Sequence, residues 1–140
     1  MKVAIFFGSK SDTEIMKGAA SALKEFDIDF KAYVLSAHRV PERLSEVLKE
    51  VCENGCEVII PVIGIPCNGA IGGIDALYSI VQMPKSVPVA TVGINNSYNA
   101  GMLAVEILSI KYPEIKEKLI KYREDMKKKF IQENDEFIFN

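Results

Sequence analysis

Tryptophan is absent from the 140 residues, histidine occurs once and cysteine only three times. An odd number of cysteines, in a chain long enough to stabilise itself by burial, argues against a disulfide framework and fits a reducing cytoplasm. With a single histidine, Cys52 and Cys56 make no adequate zinc set, so no metal is expected. Charge of one sign is missing as well. Lysine and arginine number 17 against 19 aspartate and glutamate, a net charge of −2 with no basic block early in the chain. That balance speaks against a dedicated nucleic-acid-binding domain. The first apolar run, Val3 to Phe7, stops at Gly8 and is too short for a signal-peptide core or a membrane span. A soluble, cytoplasmic protein with no membrane partner is the expectation. Glycine and proline are modest at 9 and 6, and 49% of residues are hydrophobic. This composition builds a core and leaves little room for a largely disordered chain. One α/β domain over 1–112 is expected, followed by a helix and tail over 113–140 that pack on the same or a neighbouring subunit.

What is present reads as alternating strands and helices. Val3-Ala4-Ile5-Phe6-Phe7 is an unbroken apolar run, the mark of a strand covered on both faces. Ile15, Met16, Ala19, Ala20, Leu23 and Phe26 then recur at helical spacing, from a start near Ser11 or Asp12. A second strand spans Asp29 to Leu35. Pro41 suits the first turn of a helix whose buried stripe is Leu44, Val47, Leu48, Val51 and Cys52, stopped by Asn54-Gly55. Further on, a helix opens at Gly72-Gly73 with Ile74, Leu77, Tyr78 and Val81, and Pro88 to Val92 is a strand. Ser97 or Asn99 caps a helix striped by Ala100, Leu103, Ala104, Ile107 and Leu108. Pro113 starts a charged helix with a narrow seam of Ile115, Leu119, Tyr122, Met126 and Phe130. The order is that of a doubly wound parallel sheet.

One stretch does not fit. Val58-Ile59-Ile60 and Pro61 to Ile65 read as two strands end to end, although parallel neighbours need a crossover of roughly a dozen residues. Pro61 also lacks the amide hydrogen that an interior strand donates.

In an open parallel sheet, ligands bind beyond the carboxyl ends of the strands. The loop after the first strand, Gly8-Ser9-Lys10-Ser11-Asp12, offers a tight turn, two hydroxyls, an ammonium and free amides at a helix N-terminus, which favour a phosphate. The plainer alternative makes Ser11 or Asp12 an N-cap and Ser9 a turn residue. It is not a Walker loop, because the required spacing is absent. Asp12 would repel phosphate and so suits sugar hydroxyls. The loop after the second strand, Ser36-Ala37-His38-Arg39, holds the only histidine. Arg39 can bind phosphate in bidentate fashion, and its charge favours a neutral, basic imidazole at His38. The alternative is a histidine hydrogen-bonded in a turn. Gly69, Gly72 and Gly73 form no dinucleotide fingerprint, and Lys127-Lys128-Lys129 reads as a solvated run.

Gly8-Ser9-Lys10-Ser11-Asp12, Ser36-Ala37-His38-Arg39 with Pro41, Gly73 to Pro84 with its Ser79-Ile80-Val81-Gln82-Met83-Pro84 end, and Val87 to Thr91 together resemble the PurE family in order over nearly the whole chain. His38-Arg39 and the Ser-Ile-Val-Gln-Met-Pro run resemble its bacterial mutase branch. The resemblance implies a flavodoxin-like three-layer α/β/α subunit with a C-terminal helix, assembled as a homo-octamer. It implies an N5-carboxyaminoimidazole ribonucleotide mutase of purine biosynthesis working without metal or cofactor, which moves carboxylate from the exocyclic nitrogen to ring carbon C4. His38 matches the family's acid/base histidine; Ser9, Ser11, Asp12, Ser36, Ala37 and Arg39 match its substrate-binding positions. At Ile60-Pro61 the resemblance breaks. Family members carry there a Gly/Ala-rich loop with a His-Leu-Pro-Gly motif, a second histidine and a following helix. Direct fusion at that point is expected to disrupt the sheet. Two alternatives follow: a catalytically impaired nucleotide-binding subunit, or an aminoimidazole ribonucleotide carboxylase that uses carbon dioxide directly.

Overall fold

The computed structural model describes residues 2–37, 39–60, 63–67 and 71–135. The elements in chain order are β1 (Val3–Phe7), a 3-10 turn (Lys10–Asp12), α1 (Thr13–Glu25), β2 (Phe30–Val34), α2 (Pro41–Glu53), β3 (Val58–Ile60), β4 (Ile63–Gly64), α3 (Ile74–Val81), β5 (Ala90–Thr91), α4 (Ser97–Lys111) and α5 (Pro113–Asp135). β1 pairs in parallel with β2, Val3 opposite Phe30, and with β3, Val3 opposite Val58. The three strands lie in the order β2-β1-β3. Because β1→β2 and β2→β3 move in opposite lateral directions, right-handed crossovers place α1 and α2 on opposite faces.

Alternation along β1 serves both faces. Val3 and Ile5 join a core with Leu23 of α1, Phe26 at its C-terminal end, and Ala104, Val105 and Leu108 of α4. Ala4 and Phe6 point the other way and meet Val47 and Val51 of α2. α1 and α4 approach closely because their contact is built from small residues. A Cβ on Gly101 would sit 2.7 Å from Ala22 Cβ and 2.8 Å from the Ala19 carbonyl, and one on Gly18 would sit 2.5 Å from Ser97 Oγ. The buried Ser97 hydroxyl is inserted into α1 itself, donating to the Ile15 carbonyl and accepting from the Ala19 amide.

Several expectations are corrected. The cap of α4 is Asn96, whose side chain accepts from the Asn99 amide at 3.2 Å, rather than Ser97 or Asn99. Cys52 is exposed, since the stripe of α2 narrows at its last turn to Val51. Ile74, Tyr78 and Val81 of α3 are 47, 59 and 53% exposed, so their helical spacing marks a face that the described residues leave open. In α5 the seam divides: Ile115 and Leu119 are buried and Tyr122 packs on Phe26, whereas Met126 and Phe130 are exposed. β4 pairs with β5, Ile63 opposite Ala90, in a separate two-stranded sheet, because the two residues between β3 and β4 cannot carry a parallel crossover. Pro61 and Val62 lie outside the described residues, as do Asn68 to Ala70.

Candidate functional site

The carboxyl ends of β1 and β2 stand side by side, Phe7 opposite Val34, which brings the two loops singled out in the sequence to one rim. The Leu35 amide donates to the Phe7 carbonyl at 2.9 Å and extends the ladder to the mouth of the site. Ser9 caps the 3-10 turn from an extended conformation, φ −145° and ψ 148°. Its Oγ accepts from the Ser11 amide at 3.2 Å and from the Ser11 hydroxyl at 2.7 Å. The plain capping role foreseen for this loop is therefore present, and it falls to Ser9. Asp12 precedes α1 and makes no side-chain cap bond. Its carboxylate accepts from the Ser11 hydroxyl at 3.2 Å, and the residue lines a cavity. On the second loop, the Arg39 and Val40 amides both donate to the Ser36 carbonyl, at 3.2 and 2.9 Å, forming the turn that leads into α2.

Between the loops lies a cavity of about 720 Å³. Gly8, Asp12, Ser36 and Ala37 form its polar mouth. Ser9, Ser11 and Arg39 stand on the same two loops without lining the cavity, and Arg39 is exposed. His38 lies outside the described residues. Sequence reasoning missed the rest of the lining. Met16, placed in the core by its spacing, also reaches the cavity, and Ile65 and Cys67 enter from beyond β4. Burial pushes the Cys67 thiol up, with the nearby Asp12 charge adding to the effect, so it is held as the protonated thiol. Phe6, Leu44, Leu48 and Ile59 extend the cavity down the α2 side of the sheet. Alternation in β1 carried a signal for Phe6; the openness of that side carried none. Among the described residues no cluster of histidine, cysteine or carboxylate side chains could hold a metal, and no helix is long and apolar enough to cross a membrane.

A parallel sheet with hydroxyl-bearing loops and a helix N-terminus over a cavity at its carboxyl edge defines a nucleotide-type α/β protein. The AIR carboxylase family matches residues 2–60 and 59–129, and the chain belongs to that family. An N5-carboxyaminoimidazole ribonucleotide mutase of Pyrococcus abyssi is 53% identical over 147 residues, covering 91% of this chain and 84% of the relative. One of Thermotoga maritima is 46% identical over 151 residues, covering 94% and 88%. The crystal structure of Treponema denticola PurE superposes with a TM-score of 0.82 at 25% identity, over 98% of both chains. The flavodoxin-like α/β fold with its C-terminal helix is thus shared. In the Pyrococcus alignment 91% of 140 residues is about 127, so about 20 of the 147 aligned positions have no counterpart here. The family match is in two parts that overlap at residues 59 and 60.

Proposed function

We propose that this chain is an N5-carboxyaminoimidazole ribonucleotide mutase of purine biosynthesis, moving carboxylate from the exocyclic nitrogen to C4. The observation that carries the reading is the meeting of Gly8, Asp12, Ser36 and Ala37 at one cavity, in a chain 53% identical to a relative of that name. Ser9, Ser11, Ser36 and Arg39 hold the phosphate through hydroxyls, amides and a guanidinium, and Ala37 contributes backbone. Asp12, free of a capping bond, accepts from the ribose hydroxyls. The apolar wall receives the flat ring. A protonated His38 gives its proton to the exocyclic nitrogen as the N–C bond breaks with its electron pair passing to nitrogen and carbon dioxide is released, C4 bonds to that carbon, and His38 then takes up the C4 proton and is restored. No metal or cofactor is required by these steps. The enzyme works in the cytoplasm as a homo-octamer, with the exposed face of α3 contributing to contacts between subunits.

The break at residue 60 favours a second reading, a nucleotide-binding subunit impaired in transfer. Calorimetry with aminoimidazole ribonucleotide and a transfer assay on one sample separate the two: binding with turnover supports the mutase, and binding without turnover supports the second. In an active chain, His38→Asn is expected to keep binding and abolish transfer; unchanged turnover would remove His38 from the mechanism.

A further inference from the structure

Two walls of the cavity come from segments that are far apart in the chain. Asp12 and Met16, at the start of α1, form one, and Ile65 and Cys67, beyond β4, form another. Local structure does little to fix either. The side chain of Asp12 makes no cap bond to α1, and β4 is a two-residue strand paired only with β5 among the described residues. So short a strand has few ladder bonds, and the position of its exit depends on other contacts.

The turn between β5 and α4 supplies contacts to both walls, although none of its residues lines the cavity. The Asn95 amide donates to the Pro66 carbonyl at 2.9 Å, between Ile65 and Cys67. Asn95 takes φ +58°, in the left-handed region that asparagine tolerates better than most side chains, where the chain turns toward α4. Asn96 then caps α4 by accepting from the Asn99 amide. Ser97 reaches α1. Its hydroxyl donates to the Ile15 carbonyl and accepts from the Ala19 amide at 3.2 Å, groups that bracket Met16 along the helix. Ser97 is 2% exposed, and Gly18 opposite it has no Cβ to hold the helices apart. Burial removes water as a competing partner for the hydroxyl. The fold does not depend on this hydroxyl for the packing of the helices, because Asn96 caps α4 and Gly101 already lets α4 meet Ala19 and Ala22.

We propose that Ser97 is a positioning residue of the substrate site: acting through α1, it holds Asp12 and Met16 in place against the Ile65 and Cys67 wall without touching substrate itself. The role rests on the proposed binding of the nucleotide in this cavity, and not on turnover.

Calorimetry with aminoimidazole ribonucleotide on the full chain, beside Ser97→Ala and Leu23→Ala, tests the role. We expect Ser97→Ala to bind about fivefold more weakly than the parent. Leu23→Ala should keep the parent affinity, although it empties a fully buried core position and costs more stability. Hydrogen exchange on the parent gives a second measurement that needs no variant. Bound nucleotide should slow the Ala19 and Asn95 amides, neither of which belongs to a residue lining the cavity. Parent affinity in Ser97→Ala overturns the proposal, and so does an equal loss in both variants, which would make the hydroxyl merely structural. Unchanged exchange at Ala19 and Asn95 overturns it too, and decides the matter where Ser97→Ala fails to fold. A parent that binds no nucleotide is a different result: it removes the cavity's ligand, and with it both this role and the mutase.

Discussion

The two faces of the central sheet are built to different standards. On the α1 side, three helices supply the covering. Leu23 and Val105 are fully buried there, and Gly18, Gly101 and Ser97 let α1 and α4 approach until backbone and side-chain atoms touch. On the α2 side, one helix covers three strands, and Val47 and Val51 are its buried residues. The first face has little slack for an added atom, whereas the second has an open apolar groove that runs into the candidate site. Tight packing and an open cavity thus divide one sheet between them, and the strand β1 contributes alternate residues to each.

This contrast sets the order of the expected effects. Leu23→Ala empties a fully enclosed position and should cost about 3 kcal/mol of unfolding free energy. Leu48→Ala, at the half-buried groove wall, should cost only about 1 kcal/mol, because solvent already reaches the site. Equal shifts of the urea midpoint for the two would abolish the distinction between the faces. Gly101→Ala should cost about 2 kcal/mol, since Ala22 and the Ala19 carbonyl stand where its Cβ must go. An unchanged or raised melting temperature would show that α1 and α4 can separate without loss.

The smallest effect concerns the ion pairs at the margins of the packed side. Lys118 donates to Asp27 at 2.8 Å and holds that carboxyl below its ordinary value of 3.8. Lys111 donates to Glu57 at 2.7 Å and, with the Tyr112 hydroxyl, holds that carboxyl below 4.5. Carboxyls depressed in the folded state add stability above their unfolded values and lose it as pH falls through the folded ones. Acid titration of the parent should therefore show stability declining from about pH 4.5 downward, with a shallower decline in K111M/K118M. Both pairs are exposed, so the difference in slope is small and shrinks further in high salt. Parallel curves would assign acid sensitivity to other groups.

Much of this architecture could be read from residue order. The bounds of β1 and the N-terminal Pro41 of α2 follow from an apolar run and from a residue whose ring fixes φ. The turn from Asn54 to Gly55, with Gly55 at φ +75°, ends α2 where glycine's lack of a Cβ makes that conformation cheap. Asp12, Ser36 and Ala37 could be placed together at one rim because parallel strands present their following loops at one edge, and all three line the cavity there. Other features had no local signal. Asn96 replaces Ser97 as a cap because Ser97 is drawn into the backbone of α1, a contact 82 residues away in sequence. Cys67 and Ile65 belong to the cavity because they follow β4.

The sequence alone determined that strands alternate with helices, that loops rich in hydroxyl and charge follow the first two strands, and that no crossover fits between residues 60 and 63. These are consequences of local sterics, periodicity and chain length, which act between near neighbours. Only the tertiary structure decided that β4 and β5 pair apart from the three-stranded sheet, and that the apolar side of α2 runs into the polar mouth at Asp12 and Ser36. Those outcomes depend on which faces meet across the chain, and burial rewards such meetings without leaving a mark at any one position.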